Sequence, residues 1–256
     1  MAIQHNQAAV LTSFVDPASS GIVDLEFSFA FQPIVDVDAR KVISFEALVR
    51  GPCGEPSSEV FARVPPHALH SFDQACRVKA IRLAARLNLD ASLNLNFLPN
   101  SIRQTSEYLY ATLKASEEVG IPAQRLVFEV TETKYLQHAG NMERVFDTYA
   151  SYGFGTAIDD FQVGFTALRR LAEHQPNYIK LDRNLIADIH QNRMRQVMVR
   201  GIRGLCNRLA VTLVAEGVEQ SEEYRWLKEA GIHIFQGYYF ARPAFEALTR
   251  VSADLF

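Results

Sequence analysis

Residues 27–50 read FSFAFQPIVDVDARKVISFEALVR and contain two strand-like runs separated by a short polar turn. The runs at 27–37 and 42–50 are rich in aromatic and β-branched residues, which favour strands, and residues 38–41 supply the turn. A connection this short cannot return the chain parallel to itself, so the two strands are expected to form an antiparallel hairpin. The rest of the chain has to be arranged around this hairpin.

After a loop at 52–66 that contains Gly, Pro and Ser, strand-like and helical segments alternate. Strands are predicted at 92–98, 125–131, 154–161, 177–182, 211–215 and 232–240. Helices are predicted at 67–88, 107–119, 142–152, 166–173 and 221–230, with one long or two short helices at 184–209 and a closing helical turn at 245–250. Alternation at this rate is typical of an α/β protein with a mostly parallel sheet.

Eight predicted strands within roughly 215 residues fit a closed TIM-type (β/α)8 barrel, with an antiparallel first strand in place of the first crossover. The alternative is a doubly wound open sheet, but neither a G-x-G-x-x-G sequence nor a P-loop follows the first strand to support it. Residues 1–26 show no regular pattern. We therefore expect an irregular N-terminal arm at 1–26 and one barrel domain at 27–256.

The composition is that of an ordinary globular protein, with 48% hydrophobic and 21% charged residues among 256 and a formal net charge of −3. This charge gives no general attraction to DNA, RNA or anionic lipid, so a phosphate would have to be held locally. Cys53, Cys76 and Cys206 are far apart, and no Cys or His spacing indicates a zinc site. The N-terminus has no signal-peptide pattern and no apolar run could span a membrane, which predicts a cytoplasmic protein.

Polar residues recur near the carboxyl ends of the predicted strands. The apolar run at 154–158 ends in two adjacent acids, Asp159 and Asp160. The corresponding residues elsewhere are Gln32, Glu46, Arg50, Asn94, Glu129, Lys180, Glu216 and Gln236. Each alone is best explained as a solvated strand end. Because the carboxyl ends of barrel strands share one rim, the whole set is instead expected to converge as a catalytic site.

The residue types in this set indicate the chemistry. Six of them, Glu46, Asn94, Glu129, Asp159, Asp160 and Glu216, offer oxygen atoms, and there is neither histidine nor thiolate. Oxygen donors suit Mg²⁺ or Mn²⁺ and argue against zinc or copper. So many carboxylates predict two ions bridged by one of the adjacent aspartates, an arrangement that catalyses phosphoryl displacement. Arg50 and Lys180 would supply cations for a phosphodiester.

The sequence Glu46-Ala47-Leu48-Val49-Arg50 resembles the E-A-L-x-R signature of EAL domains, the cyclic di-GMP phosphodiesterases of bacteria. The resemblance covers about residues 29–245 and extends in order through Gln32-Pro33-Ile34, Asn94, residues 129–132 (EVTE), 159–161 (DDF), 180–182 (KLD), 215–219 (AEGVE) and 236–238 (QGY). It implies a TIM-type barrel with an antiparallel first strand. It also implies hydrolysis of one 3′–5′ phosphodiester of cyclic di-GMP to linear pGpG.

The resemblance assigns roles to residues. It implies one metal ion on Glu46, Asn94, Glu129 and Asp159, and a second on Asp159, Asp160 and Glu216. It implies that Lys180 contacts the attacking water or the phosphate and that Glu216 can accept a proton. It places Gln32, Leu48, Arg50, Asp182, Glu219 and Gln236 at positions that hold the ligand or order the site.

The resemblance weakens after the paired aspartates. The family pattern D-D-F-G-[TA]-G-Y-S-S is replaced by DDFQVGFTA at 159–167, so Gln162 stands in place of a glycine and is expected to be strained. A smaller departure is Asn96, where the family usually has a serine. In the family this loop supports metal binding and a dimer contact, and here Glu132 is expected to support the loop by holding the Thr166 hydroxyl. We therefore expect a homodimer, and we keep a weakly active or non-catalytic cyclic di-GMP-binding domain as the alternative function.

Overall fold

The computed structural model of the chain describes residues 25–99, 105–162, 164, 171 and 175–256. Two predicted segments therefore lie almost wholly outside the described residues: the N-terminal arm at 1–26 and the helix at 166–173. Thr166 lies outside them as well. The described part forms a single α/β barrel.

Nine strands make up the sheet, and eight of them close the barrel. They are β1 (Ser28–Asp36), β2 (Lys41–Arg50), β3 (Ser92–Asn96), β4 (Leu126–Thr131), β5 (Gly155–Phe161), β6 (Tyr178–Leu181), β7 (Thr212–Ala215), β8 (Ile234–Gln236) and β9 (Ala244–Phe245). From β2 to β8 each strand pairs in parallel with the next along the chain. The predicted TIM-type barrel is confirmed.

The strand β1 closes the barrel and is antiparallel to each of its neighbours. It pairs with β2 over its whole length, with Gln32 opposite Glu46. On its other side it pairs with β8 over Ile34–Asp36 and with β9 over Ala30–Phe31. The predicted hairpin is therefore present, and it brings the first two strands together in the barrel wall.

Helices surround this barrel. Those described are α1 (Ser57–Ala62), α2 (Leu69–Arg86), α3 (Thr105–Val119), α4 (Glu132–Gln137), α5 (Ala139–Ser151), α6 (Arg183–Ile186), α7 (Arg193–Leu209) and α8 (Ser221–Glu229). Short 3₁₀ turns lie at Pro66–Ala68, Ala123–Arg125, Ile189–Gln191 and Ala253–Leu255. Among the described residues, no helix is both long enough and apolar enough to cross a membrane.

The core lies between strands and helices, where the apolar side chains alternate with those that face the barrel interior. Phe72 of α2 is fully buried and packs edge-on against Phe27 and Phe61. Further along the sheet, Phe128 of β4 packs against Tyr149 of α5 and Phe154. Aromatic contacts of this kind fix each helix against its strand and so hold the strand ends in place.

Four local predictions need correction. The loop predicted at 52–66 contains α1, which buries Val60, and α4 begins directly after β4 although no helix was predicted there. The last barrel strand is Ile234–Gln236, much shorter than the predicted 232–240. No helical turn forms at 245–250; its first residue, Phe245, instead ends β9, because Ala244 and Phe245 complete the edge of β1 that β8 leaves unpaired.

Candidate active site at the carboxyl ends of the strands

Three neighbouring strands bring the first group of polar side chains together. Parallel pairing sets Glu46 of β2 beside Asn94 of β3, and the next strand contributes Glu129. The Asn94 side-chain nitrogen lies 2.6 Å from Glu129 Oε1, and its oxygen accepts a hydrogen bond from Ser44. All four residues are buried. The barrel register, and no local motif, therefore creates this acidic cluster.

Lys180 of β6 lies at the centre of the cluster. Its side-chain nitrogen is 3.0 Å from Glu46, 3.1 Å from Glu129, 3.1 Å from Asp159 and 3.0 Å from Glu216. The lysine side chain is 1% exposed. Burial alone would lower the pKa of Lys180, but the four carboxylates together raise it well above its usual range. Lys180 is therefore held as a buried cation.

The carboxylates respond to burial and to one another. Burial, with the charges of Glu46 and Asp159, raises the pKa of Glu129 to about 8 against the opposing effect of Lys180. Burial also raises the pKa of Glu216 well above its usual range. Burial acts the same way on Asp159, but Lys180 and a hydrogen bond with Glu216 outweigh it and lower the pKa of Asp159. The hydrogen bond between these two carboxyls therefore lowers the pKa of Asp159 and raises that of Glu216.

The adjacent aspartates have different surroundings because β5 is irregular where they lie. The pairing of β5 with β6 shifts register between Ile158 and Phe161, and Asp160 has a left-handed φ of 52°. Asp159 is consequently buried against Lys180, whereas Asp160 is exposed at the rim. Desolvation of its carboxyl, and then the charge of Asp159, raise the pKa of Asp160 to about 6.

This irregularity corrects the expectation of strain at Gln162. The left-handed conformation falls on Asp160, and the φ of Gln162 is not positive. Aspartate tolerates this conformation better than most residues. The Gln162 backbone N–H instead donates to Glu132 Oε2 at 2.6 Å. Glu132 is buried at the start of α4, and burial raises its pKa. The loop after the aspartates is thus anchored where it leaves the strand.

The other predicted site residues are distributed unevenly. Gln236 is fully buried and lies 2.8 Å from Glu46 Oε2 and 3.3 Å from Gln32 Oε1. Arg50 donates to the Val49 carbonyl at 2.8 Å. Asp182 caps the N-terminus of α6 by accepting from the backbone N–H of Asn184.

Glu219 lies apart from the cluster. Its side chain is 48% exposed and is 3.4 Å from Arg183. The buried acidic cluster is therefore compact, and two of the residues expected around it, Arg50 and Glu219, contact Val49 and Arg183 instead.

A cavity of about 400 Å³ opens over the cluster, between the strand ends and helices α1 and α2. Its wall includes Glu46, Leu48, Asp159, Asp160 and Glu216 from the predicted set. It also includes charged or polar residues that the sequence did not single out as site residues: Asp73, Arg77, Asn96 and Lys134.

Of these, Asn96 could have been found from the sequence. It lies two residues after Asn94 on the same strand and therefore on the same face, and its side-chain nitrogen lies 2.9 Å from Glu46 Oε1. The other three lie on helices, where no strand period indicates them.

The residues fit a divalent cation. Glu46, Glu129 and Asp159 each offer a carboxylate oxygen, and these oxygens lie within 4.8 Å of one another. The donors are all oxygens, which suits Mg²⁺, Mn²⁺ or Ca²⁺. The position of Lys180 supports the same conclusion, because it shows that this cluster is built around positive charge.

A TIM-type barrel with a buried acidic cluster at the carboxyl ends of its strands defines the class of this protein: an α/β-barrel protein with a candidate cation site. The chain belongs to the EAL domain family, which matches residues 18–243. This confirms the family predicted from the signature at 46–50.

Curated relatives match over most of this chain. The probable cyclic di-GMP phosphodiesterase PdeN of Escherichia coli is 31% identical over 85% of this chain and 43% of its own length. The cyclic di-GMP phosphodiesterase RocR of Pseudomonas aeruginosa is 30% identical, over 93% and 62%. The blue light- and temperature-regulated antirepressor BluF of E. coli is 28% identical, over 88% and 56%. The chain thus spans about half the length of these relatives.

Solved structures agree with this assignment. A standalone versatile EAL protein from Vibrio cholerae O395, in its c-di-GMP-bound form, has a TM-score of 0.85 at 40% identity, covering 91% of this chain and 98% of that chain. Klebsiella pneumoniae BlrP1, in a manganese/cyclic di-GMP complex at pH 9.0, has a TM-score of 0.84 at 34% identity, covering 89% and 58%.

Proposed function

We propose that this protein hydrolyses cyclic di-GMP to linear pGpG with two divalent ions, Mg²⁺ or Mn²⁺. The observation that carries the proposal is the convergence of Glu46, Glu129, Asp159 and Glu216 on one buried position. Two relatives named as cyclic di-GMP phosphodiesterases, and neighbours with cyclic di-GMP bound, support the choice of substrate.

The proposed ligands of the first ion are Glu46, Asn94, Glu129 and Asp159, and those of the second are Asp159, Asp160 and Glu216. The Asn94 oxygen already accepts a hydrogen bond from Ser44, but an amide oxygen has a second lone pair for a cation. Divalent ions at these positions would supply charge to polarise the phosphodiester and the attacking water. The deep burial of Glu129 and Asp159 suits such a role, because buried carboxylates need a cation nearby.

The chain's own residues would position the substrate and handle the proton. Lys180 can donate hydrogen bonds to the phosphate or to the attacking water, because the surrounding carboxylates raise its pKa and favour its charged form. Glu216 is partly exposed toward the cavity, and its raised pKa makes its ionised form a good acceptor for the proton that the water loses.

The ligand would also be held by amide and hydrophobic contacts. Gln32 and Gln236 present amides beside Glu46, and Leu48 lines the cavity. In this proposal Arg50, Asp182 and Glu219 hold the ligand or order the site from its rim. Arg50 and Glu219 would have to turn from their present partners, Val49 and Arg183, to touch the ligand.

We also infer a cytoplasmic homodimer that forms through the loop after Asp160. The anchoring of Gln162 by Glu132 supports a defined conformation where this loop begins. Light scattering across a range of protein concentrations tests the dimer. A specific dimer should form below about 100 μM, so a mass that stays monomeric up to this concentration contradicts it.

Turnover of cyclic di-GMP tests the main proposal. The protein is incubated with cyclic di-GMP and either Mg²⁺ or Mn²⁺ from pH 7 to about 9.5, and pGpG is measured over a series of protein concentrations. We expect pGpG with wild-type protein and none with Glu46→Ala. Lys41→Met, which alters an exposed residue at the opposite end of β2, serves as the control. Absence of pGpG under all conditions would refute the enzyme.

A non-catalytic cyclic di-GMP-binding or interaction domain is the second candidate, because one relative is named as an antirepressor. Binding of cyclic di-GMP with excess metal ion, without pGpG formation, would favour this candidate. Calorimetry on the same samples as the turnover assay separates the two.

A further inference from the structure

The cavity over the acidic cluster has a second wall that the proposed chemistry does not use. Helices α1 and α2 contribute Ser57, Phe61, Asp73, Cys76 and Arg77, and α4 contributes Lys134. The strand-end wall carries the carboxylates of Glu46, Asp159, Asp160 and Glu216. The two walls therefore differ in charge, and the helical wall contains the positive groups.

Two of the charged groups on the helical wall neutralise each other. Arg77 and Asp73 lie one turn apart on α2, and their side chains are 3.2 Å apart and almost completely buried. Asp73 also accepts a hydrogen bond from the backbone of Leu98. This pair adds no net charge to the cavity, and its burial fixes α2 against the barrel.

Lys134 is left as the positive charge of this wall. It is half-buried, and it makes no ion pair with any residue in the described ranges 25–99, 105–162 and 175–256. Burial raises the pKa of Asp73, and Lys134 is near enough to oppose this shift, but Asp73 already has Arg77 as its partner. A lysine in such a place buries its aliphatic stem and leaves its ammonium group toward the open space.

The position of Lys134 connects it to the acidic cluster. The helix α4 starts immediately after β4, and Thr131, which is its N-cap, pairs with Asp159 in the sheet. Lys134 lies three residues further on, about one helical turn. Thr131 and Lys134 both line the cavity. The same strand end thus places Glu129 in the acidic cluster and Lys134 in the wall of the cavity that opens over it.

We propose that Lys134 binds the second phosphate of the cyclic dinucleotide, the one that is not cleaved, and so favours dinucleotides over mononucleotides. This inference rests on the proposed function. A cyclic dinucleotide has two phosphates and no other anion at neutral pH. The acidic cluster with its cations would hold the phosphate that reacts. The Lys134 ammonium, which has no ion pair among the described residues, complements the other phosphate from the wall of the same cavity.

Binding of pGpG and 5′-GMP tests this assignment. Both ligands carry a terminal 5′-phosphate for the metal ions, but only pGpG retains the internal phosphodiester. Calorimetry in Mg²⁺ is carried out on wild type, Lys134→Met, Lys134→Arg and the control Lys41→Met, which removes one exposed lysine at the far end of β2. We expect Lys134→Met to weaken pGpG binding about tenfold and to leave GMP binding unchanged, since one charge-assisted hydrogen bond is lost. Lys134→Arg should restore most of the affinity.

Kinetics on cyclic di-GMP give a second readout. Because the second phosphate does not react, Lys134→Met should raise KM about tenfold and change kcat by less than about twofold. Equal weakening of pGpG and GMP would overturn the assignment, because Lys134 would then act on the reacting phosphate. Unchanged pGpG affinity would overturn it too. Failure of the wild type to bind cyclic di-GMP at all would instead refute the proposed function.

Discussion

The side-chain nitrogen of Lys180 lies 3.0 Å from a carboxylate oxygen of Glu216. Lys180 is in β6, and Glu216 directly follows the neighbouring strand β7. The same nitrogen contacts the carboxylates of Glu46, Glu129 and Asp159. One buried cation therefore balances four acids that would otherwise repel one another. Its removal should lower the free energy of unfolding as well as the activity.

Replacement of Lys180 tests this balance. In the presence of a chelator at pH 8, Lys180→Met should lower the free energy of unfolding by about 3–5 kcal/mol, because breaking a buried ion pair leaves charges uncompensated. Saturating Mn²⁺ should recover part of the loss. Denaturant unfolding measures both, with Lys41→Met as the control. A Lys180→Met protein as stable as wild type in chelator would contradict the finding that this charge holds the cluster.

The pKa of Glu129 predicts how stability depends on pH without metal ions. Its pKa is raised from about 4.5 to about 8 on folding, so between these values the folded state holds a proton that the unfolded state has lost. The free energy of unfolding should therefore fall as pH rises from about 5 to 8, and the proton-linked stability is fully present only below the unfolded pKa. Unfolding in chelator over this range measures it. Glu129→Gln should flatten the slope; an unchanged slope would assign it to another group.

Because Asp160 has a left-handed backbone, substitutions can test the effects of its conformation and of its carboxylate separately. Asp160→Asn and Asp160→Gly should keep the free energy of unfolding within about 1 kcal/mol of wild type, because both residues accept a positive φ. Asp160→Val should lose more than that. All three should bind Mn²⁺ more weakly if the carboxylate is a ligand. Calorimetry measures the Mn²⁺ affinity and denaturant unfolding measures the stability. Full Mn²⁺ affinity in Asp160→Asn would exclude the Asp160 carboxylate as a ligand.

The hydrogen bond between Glu132 and the Gln162 backbone predicts that two Glu132 variants lose stability to different extents. Glu132→Ala removes the acceptor of this partly buried hydrogen bond and should cost about 0.5–1.5 kcal/mol of stability. Glu132→Gln retains an acceptor and should lose less than half of that. Turnover should fall in the same order if this contact positions the loop. Equal stability of the two variants would show that the contact contributes little.

The sequence allowed the barrel and most of its acidic cluster to be predicted, for a physical reason. Strand-end residues such as Glu46 and Glu129 interrupt strongly apolar runs, and the parallel topology alone makes such positions converge. The antiparallel pairing of the first two strands could also be predicted, because the turn between β1 and β2 is short. These features depend on local pattern plus one rule of topology.

Other features depend on contacts between segments that are distant in sequence. The irregularity in β5 at Asp160 arises from its pairing with β6, and β9 forms because part of the edge of β1 is left free. Arg77 and Lys134 reach the cavity from helices that pack outside the barrel wall, so a strand period cannot reveal them. Asn96 is different, since its position two residues after Asn94 was a usable signal.

β8 and β9 share one edge of β1, and this affects where the barrel opens locally. β8 pairs with β1 over Ile34–Asp36 alone, whereas β2 pairs with β1 along its whole length. β8 also pairs with β7 over only Val214 and Ala215, so β8 is the strand that should detach most readily, and amide hydrogens of Ile234–Gln236 should exchange with solvent before those of β4. Because Gln236 contacts Glu46, each such opening also loosens one side of the acidic cluster.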